Sequence, residues 1–430
     1  MEEAVLPKSY RRNFWCFALD FGFFGLGMAF VSVNTVMPSF LTVLGTSSAF
    51  IGLVSSLQSA SWLLPQLLAA RYLADKPRKK PFILGPAAVG RSLLLVLAAL
   101  VWITGATPAW LTMLAVLVVV VGFWVADGLG SVAWFDVMSS AIPPRRRGRL
   151  VGIGQVMSGS LGFLAGFVVE WLLSERGPAF PNNYALLFVL GFTMLAFSLL
   201  SISFLMEEHA STAGKVPSWH EYLPQLWNVF KRDPVFRRLI LTRQLSGLSS
   251  LSIPFYMPYA LESLGLPSHV AGRYTSIGVL GSILAALAFG WLNERYGSKR
   301  VILISLTLGL LVPLLALAIP ALITEPTALA WGYGLVFFFL NALMSSMMPG
   351  WMTYVLEWAP PSERPTYVGL TNTLNGFTSL FAILGGLFLE WSGNNFRLLF
   401  AITALGVLTA WSLPLRLPEP RQRQETAALE

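Results

Sequence analysis

The sequence predicts an all-α membrane protein made of two six-helix bundles related by a pseudo-two-fold axis. Three observations carry this. Apolar residues fill 55% of the 430 positions and charged residues 12%, about half the charged share of an ordinary soluble domain. So few polar side chains could not cover a water-exposed surface. The apolar residues gather into twelve runs, each of about the 20 residues that a helix needs to cross hydrocarbon. Charged loops of the first half also recur in the second half at a nearly constant offset. A disordered chain, a coiled coil and a nucleic-acid-binding globule are excluded by the same composition, and no segment shows the ten-residue alternation of a membrane barrel.

The runs cover roughly 13–37, 48–72, 81–104, 109–138, 149–174 and 184–206, then 238–262, 268–292, 299–323, 328–357, 365–390 and 395–416. The first is about twice as long as a signal h-region, so it is expected to be retained as a span. The lone cysteine, Cys16, lies inside it and reads as a small apolar residue. Orientation follows from the 29 Lys and Arg. Only Arg176, Arg273 and Arg397 fall on the side opposite the termini, and Arg91 falls within span three; the rest crowd the loops on the termini side. The positive-inside rule therefore predicts cytoplasmic termini.

The domain division follows: residues 1–206 form the first bundle, 207–237 a cytoplasmic linker, and 238–430 the second bundle with a short tail. Within the linker, Ser218 to Glu221 reads as a capping box. Trp219, Leu223, Leu226, Trp227 and Phe230 then recur at helical spacing, which predicts a helix lying on the membrane face.

The repeat is carried by loops. Leu73 to Lys80 follows span two, and Gly290 to Arg300 follows span eight. Pro143-Pro144-Arg145 follows span four, and Pro360-Pro361-Ser362 follows span ten. Glu170-Trp171 closes span five as Glu390-Trp391 closes span eleven. All three pairs are offset by roughly 220 positions, the mark of two halves with one topology.

With these residues in view, the chain resembles the major facilitator superfamily over nearly its whole length. The loop signature of that family is G-x-x-x-D/E-R/K-x-G-x-R/K-R/K. Gly290, Glu294, Arg295, Gly297, Lys299 and Arg300 match it almost fully. The first-half copy keeps Asp75, Lys76, Lys79 and Lys80 but has Arg71 and Arg78 in place of the glycines. The resemblance implies a gating role on the cytoplasmic side for Asp75 and Glu294. Asp136 and Glu357 stand just before the two Pro-Pro loops, and Arg149 and Arg364 after or within them. With Lys79 they are expected to form a cytoplasmic latch of charge-assisted bonds.

Charges inside the membrane are costly and usually have a partner or a task. Asp20 falls in span one, Arg91 in span three and Asp127 in span four. Arg91 and Asp127 lie at similar depth, so they are read as a pair, with Asp20 the next candidate partner. A pair that opens could couple a proton to transport; a permanent pair would be structural. Arg243 stands a few residues into span seven, where it is expected to snorkel to the interface. His209, His220 and His269 all fall in loops or at span ends, so no histidine relay or metal site is expected.

In the family, spans one, four, seven and ten line a central cavity. That resemblance nominates Phe24 and Asn34, Trp124 and Trp134, Gln244, Tyr256 and Tyr259, and Asn341 and Trp351. Gln58, Gln155, Asn372 and Asn375 fall on the bordering spans two, five and eleven. Amides inside hydrocarbon need partners, either another helix or cavity water. Aromatics, amides and an acidic tilt favour a neutral or cationic, partly apolar solute.

These readings lead to a secondary transporter working by alternating access, with proton-coupled export of an amphiphile foremost. Proton-coupled uptake of a small nutrient and lipid or lysolipid transport are the alternatives, and a non-transporting sensor is the reading from another class. Direction stays open, because Gly159, Gly162 and Gly166 on span five lack the proline of the exporter motif. There is no nucleophile–base constellation, metal cluster or phosphate loop of the G-x-x-x-x-G-K-[ST] type. An enzyme, a cofactor and a bound metal are therefore not expected. The expected partners are a small-molecule substrate, protons and the lipid bilayer, with no nucleic acid; the chain is expected to be a monomer in a bacterial inner membrane.

Overall fold

The structure is a computed structural model, and it describes residues 9–73, 76–207, 228–360 and 363–421. Every regular element among them is helical. The chain divides into two compact units. One takes in Met1–Leu44, Leu57–Val216 and Ala271–Ser276, the other Gly45–Ser56, Pro217–Val270 and Ile277–Glu430.

The first half contributes α1 (Tyr10–Phe30), α2 (Val36–Val43), α3 (Ser48–Leu73), α4 (Lys80–Thr104), α5 (Ala109–Ala141), α6 (Pro144–Leu173) and α7 (Asn182–Ser203). The second contributes α8 (Pro234–Ser246), α9 (Val270–Tyr296), α10 (Ser298–Leu322), α11 (Pro326–Gly332), α12 (Gly334–Ser345), α13 (Thr353–Trp358), α14 (Arg364–Thr378), α15 (Phe381–Trp391) and α16 (Phe396–Trp411).

Ten helical stretches among the described residues are long and apolar enough to cross a membrane, against the twelve runs of the sequence. The two differences have local causes. Helix α3 is 26 residues long, but Ser55, Ser56, Gln58, Ser59, Ser61 and Gln66 dilute its apolar character. Span seven is not one helix. After α8 it passes through 3-10 turns at Gly247–Leu251 and Ile253–Phe255 and a π turn at Tyr259–Ser263. Pro254 and Pro258 remove two backbone donors there.

In a bilayer, lipid is as apolar as a side chain, so helices associate through close packing rather than water exclusion. Glycine supplies that closeness at two places that matter for the site. A Cβ at Gly128 of α5 would stand 2.5 Å from the Trp62 carbonyl oxygen of α3. One at Gly90 of α4 would stand 2.7 Å from the Ala126 methyl of α5. These two approaches bring α3 and α4 onto the turn of α5 that carries Asp127. Helix α1 packs on α6 and α7, and α4 on α5 and α7. A core of Phe17, Ile83, Val137, Leu150 and Ile202 lies among them.

In the second unit α10 packs on α12 and α16, and α8 on α14 and α16. Phe236, Ile240, Leu306, Tyr354, Tyr367 and Ala410 form the core there. Large apolar residues point outward in both units; Ile103, Leu322 and Trp391 are each 82% exposed. That is the surface expected of helices facing lipid.

The proposed linker helix falls mostly outside the described residues, which resume with a helical turn at 228–232. Asp233 then starts α8. Its side chain accepts from the Phe236 backbone N–H at 2.9 Å, from the Trp358 indole at 2.8 Å and from the Tyr367 hydroxyl at 2.9 Å. One carboxylate thus caps a helix and ties it to the ends of α13 and α14. Beside it, Arg232 pairs with Glu363.

Candidate functional site

The three intramembrane charges of the first unit come together, but not as the sequence suggests. Arg91 and Asp127 form no ion pair. Arg91 is 8% exposed; its guanidinium donates to the Leu195 carbonyl at 2.6 Å and lies 5.9 Å from the Phe24 ring centroid. Its charge acts on Asp20 and Asp127 at longer range. Each carboxylate instead accepts an indole N–H: Trp134 reaches Asp20 at 2.9 Å, and Trp62 reaches Asp127 at 3.0 Å. Asp20 also accepts from the Ser198 hydroxyl.

The geometry has a physical reason. Helix α5 sends Trp134 toward α1, where Phe17 and Phe21 hold the indole edge-on at 5.2 and 5.3 Å. The contact at Gly128 brings Trp62 within reach of Asp127. A charge at mid-membrane costs at least ~2.5 kcal/mol on insertion scales. A hydrogen bond to a charged group returns about 1.5–3 kcal/mol. Two donors on Asp20 offset that cost; the single donor on Asp127 does so only at the top of the range. Asp127 is therefore the carboxylate left most dependent on Arg91 or on a proton.

The nominated cavity residues separate into three groups. Phe24 and Trp134 belong to the charge cluster just described. Tyr256 and Tyr259 do not present themselves to a solute: they are 1% and 2% exposed, packed against Phe396, Phe400 and Tyr333. The irregular backbone of span seven turns both rings inward, and the Tyr256 hydroxyl meets Ser252 at 2.7 Å. Asn34 is not on α1, which ends at Phe30; it lies in the turn before α2. Asn341 spends its amide on its own helix, donating to the Phe337 carbonyl at 2.9 Å. Gln155 is exposed, while Gln58, Trp124 and Asn372 are half-buried.

The third group gathers around Arg243. Helix α8 begins at Pro234, so Arg243 lies nine residues in, about 13 Å along the axis at 1.5 Å per residue. Its side chain packs against neighbouring elements of the second unit. Its guanidinium lies 4.9 Å from the Trp351 ring centroid, donates from Nε to Asn375 Oδ1 at 3.3 Å and contacts the Met347 sulfur. Trp351 is 3% exposed and is held by an indole bond to Ser305 at 3.3 Å. Neighbouring Gln244 has a buried Nε2 with no acceptor among the described residues. The sequence signal was the Asp233-Pro234 start, which marks a helix beginning earlier than the apolar run.

On the loop side, the first unit joins Lys79 to Asp136 in an ion pair, with Lys79 4% exposed. Asp75 lies outside the described residues. Glu207 accepts from the backbone N–H groups of Lys79 and Lys80 at 2.7 and 3.1 Å and so caps α4. The Pro143-Pro144 turn is stitched by Arg147, which donates to the carbonyls of Ser139 and Ile142. The nominated Arg149 is exposed and makes no ion pair among the described residues.

In the second unit the cation expected from Arg364 comes from elsewhere. Arg364 is exposed. Glu357 instead accepts from Arg421 Nε at 2.9 Å and from the Ser298 hydroxyl at 3.0 Å. Arg421 also donates to the Glu294 carbonyl and the Asn293 side chain. The signature loop turns at Gly297, whose φ of +86° favours glycine. Gly290 sits mid-helix with open space around it. Arg295 and Arg300 lie over the Tyr296 ring at 5.6 and 4.4 Å. Half-buried near Gly297, Glu419 is pushed above its ordinary value, first by desolvation and then by the Glu357 charge.

The family model described as Major Facilitator Superfamily matches residues 19–267 and 239–430. The multidrug resistance protein MdtG of Proteus mirabilis is 23% identical over 411 residues, which cover 92% of this chain and 94% of that protein. An uncharacterised protein of Mycobacterium tuberculosis is 27% identical over 271 residues, 61% of this chain and 51% of the relative. The matched region thus spans about half of that relative's length. Among solved structures, the nucleoside transporter NupG aligns with a TM-score of 0.67 and 16% identity over 96% of this chain and 100% of its own. A D-xylose-proton symporter aligns with a TM-score of 0.63 and 16% identity over 96% and 99%. At such identities the structural likeness concerns the fold.

Proposed function

The chain belongs to the Major Facilitator Superfamily, and on that premise we propose that this secondary transporter exports an amphiphilic small molecule in exchange for protons. The observation that carries the proton is Asp127. It is held in the membrane by one indole N–H, without an ion pair and within electrostatic reach of Arg91. A carboxylate so placed can take and release a proton at small structural cost, because Trp62 and Arg91 remain in position to receive its charge. Asp20, with two donors, is the steadier member and helps to hold α1 against α5 and α7.

Full-length similarity to a protein named for multidrug resistance supports export over uptake. The aromatic and amide side chains of the half-buried group suit a partly apolar solute. The bilayer is the lipid surface that the outward-facing apolar residues meet, and the positive-inside pattern supports cytoplasmic termini in a bacterial inner membrane.

The test uses proteoliposomes loaded with a pH-sensitive dye and a panel of amphiphiles and small nutrients. Proton movement opposite to the solute, lost in Asp127→Asn, is the expected result. Movement in the same direction would replace export by uptake. Unchanged coupled flux in Asp127→Asn would remove Asp127 from the coupling step.

A further inference from the structure

Arg243 differs from Arg91 in one decisive respect. Arg91 has two carboxylates near it; Arg243 has no carboxylate in ion-pair contact among the described residues. A guanidinium inside a helical membrane unit normally pairs with an anion or a chain of carbonyls. Here its Cζ lies 4.9 Å from the Trp351 ring centroid and two of its N–H groups are used, by Asn375 Oδ1 and the Met347 sulfur. Three of the five guanidinium N–H donors have no acceptor among the described residues.

The surroundings hold this arrangement still. Trp351 is fixed by Ser305, which itself bonds Ser346 at 2.7 Å, and both serines are buried. A guanidinium held over a fixed indole has little freedom to move away, and its remaining N–H groups form the fork that a carboxylate can meet with two parallel bonds. Asn375 can turn its amide N–H toward the same anion, and Met347 offers a soft apolar wall.

We infer that Arg243, Trp351 and Asn375 form a recognition site for a carboxylate, and that the transported amphiphile carries one. This deepens the proposed function and rests on it. It also revises the neutral or cationic solute expected when Arg243 is read as an interfacial residue.

The experiment uses full-length protein in nanodiscs and three probes of one shape: phenylbutyrate, phenylbutanamide and phenylbutylamine. Binding is measured by calorimetry. The carboxylate is expected to bind at least about tenfold tighter than the amide, the worth of a charge-assisted hydrogen bond. Arg243→Gln should abolish that preference. Arg243→Lys should keep part of it, because an ammonium supplies charge without the fork. Should Arg243→Gln fail to fold, Asn375→Leu retains the charge and is expected to weaken only the carboxylate. Absence of carboxylate-selective binding by the wild type, or its persistence in Arg243→Gln, overturns the inference. Dye-loaded proteoliposomes separate the two readings. Proton-coupled movement of the amine or amide without carboxylate preference sinks the inference alone, whereas carboxylate-selective binding without any transport sinks the proposed function.

Discussion

Arg421 and Glu357 are joined by an ion pair of 2.9 Å, 64 positions apart in the chain. The same guanidinium reaches the Glu294 carbonyl and Asn293. One tail residue therefore bonds both to the end of α9, which opens the signature loop, and to α13. Tyr354 adds a bond to the Pro418 carbonyl at 2.7 Å, and Lys299 one to the Leu415 carbonyl at 3.2 Å. The stretch after α16 is thus fastened by five bonds, three to the signature stretch and two to α13.

Arg421→Gln should loosen this fastening. The pair is partly exposed, so its own worth is about 0.5–1.5 kcal/mol. Hydrogen–deuterium exchange of the Gly297 amide, which bonds the Asn293 carbonyl at 2.9 Å, should rise several-fold, with partial recovery in Arg421→Lys. Unchanged exchange would make the contact incidental.

Two loop carboxylates should respond to pH with opposite sign. Glu419 titrates above its ordinary value because burial and the Glu357 charge disfavour ionisation, against opposing help from Lys299 and Arg421. The folded state then binds the proton more tightly than the unfolded chain, so tail docking weakens as pH rises through its raised pKa. Glu325 titrates below its ordinary value, because its carboxylate accepts from the Ala328 and Thr327 backbone N–H groups. Its contribution is present above the ordinary carboxylate value and lost as pH falls through the lowered one. Exchange profiles should show the α11 start opening in acid while the tail tightens. Glu419→Gln should abolish the tail's response and leave that of α11.

Asp233 carries three bonds on one carboxylate, and its loss should be costly. The cap is worth about 0.5–2 kcal/mol, and the stranded Trp358 and Tyr367 donors add to this. Asp233→Ala is expected to cost about 2–4 kcal/mol, read as a lower melting temperature. Asp233→Asn, which can still cap, should lose less; equal losses would place the effect in the charge rather than the cap.

The Trp62–Asp127 contact should appear as coupling. Trp62→Phe keeps an aromatic ring but removes the N–H donor together with part of the indole's volume. Its destabilisation should shrink in an Asp127→Asn background by roughly 0.5–3 kcal/mol, the range for residues in contact. Additive losses would mean that the indole and the carboxylate do not interact.

The carboxylates at Asp20 and Asp127 and the guanidinium at Arg91 could be singled out from the sequence because charge in an apolar run is locally visible. Their partners could not. Trp62 and Trp134 look like any aromatic of a span until helix rotation and the close approach at Gly128 aim their N–H groups. Arg243 was masked by its neighbours: α8 starts in a polar stretch, Pro234 to Arg238, that a hydropathy window leaves outside the membrane.

The sequence by itself determined the helical class, nearly all of the apolar stretches able to cross a membrane, the paired loops of the two halves and the family. Each rests on local composition or on spacing, which hydrocarbon and backbone hydrogen bonding read directly. Tertiary structure decided that Arg91 lies within electrostatic reach of two carboxylates without bonding either, that Tyr256 and Tyr259 are core, and that Arg421 rather than Arg364 meets Glu357. Those outcomes depend on which face each helix turns to its neighbour and on where the chain after α16 comes to rest. Several partners lie at equal distance along the sequence pattern, so only packing chooses among them.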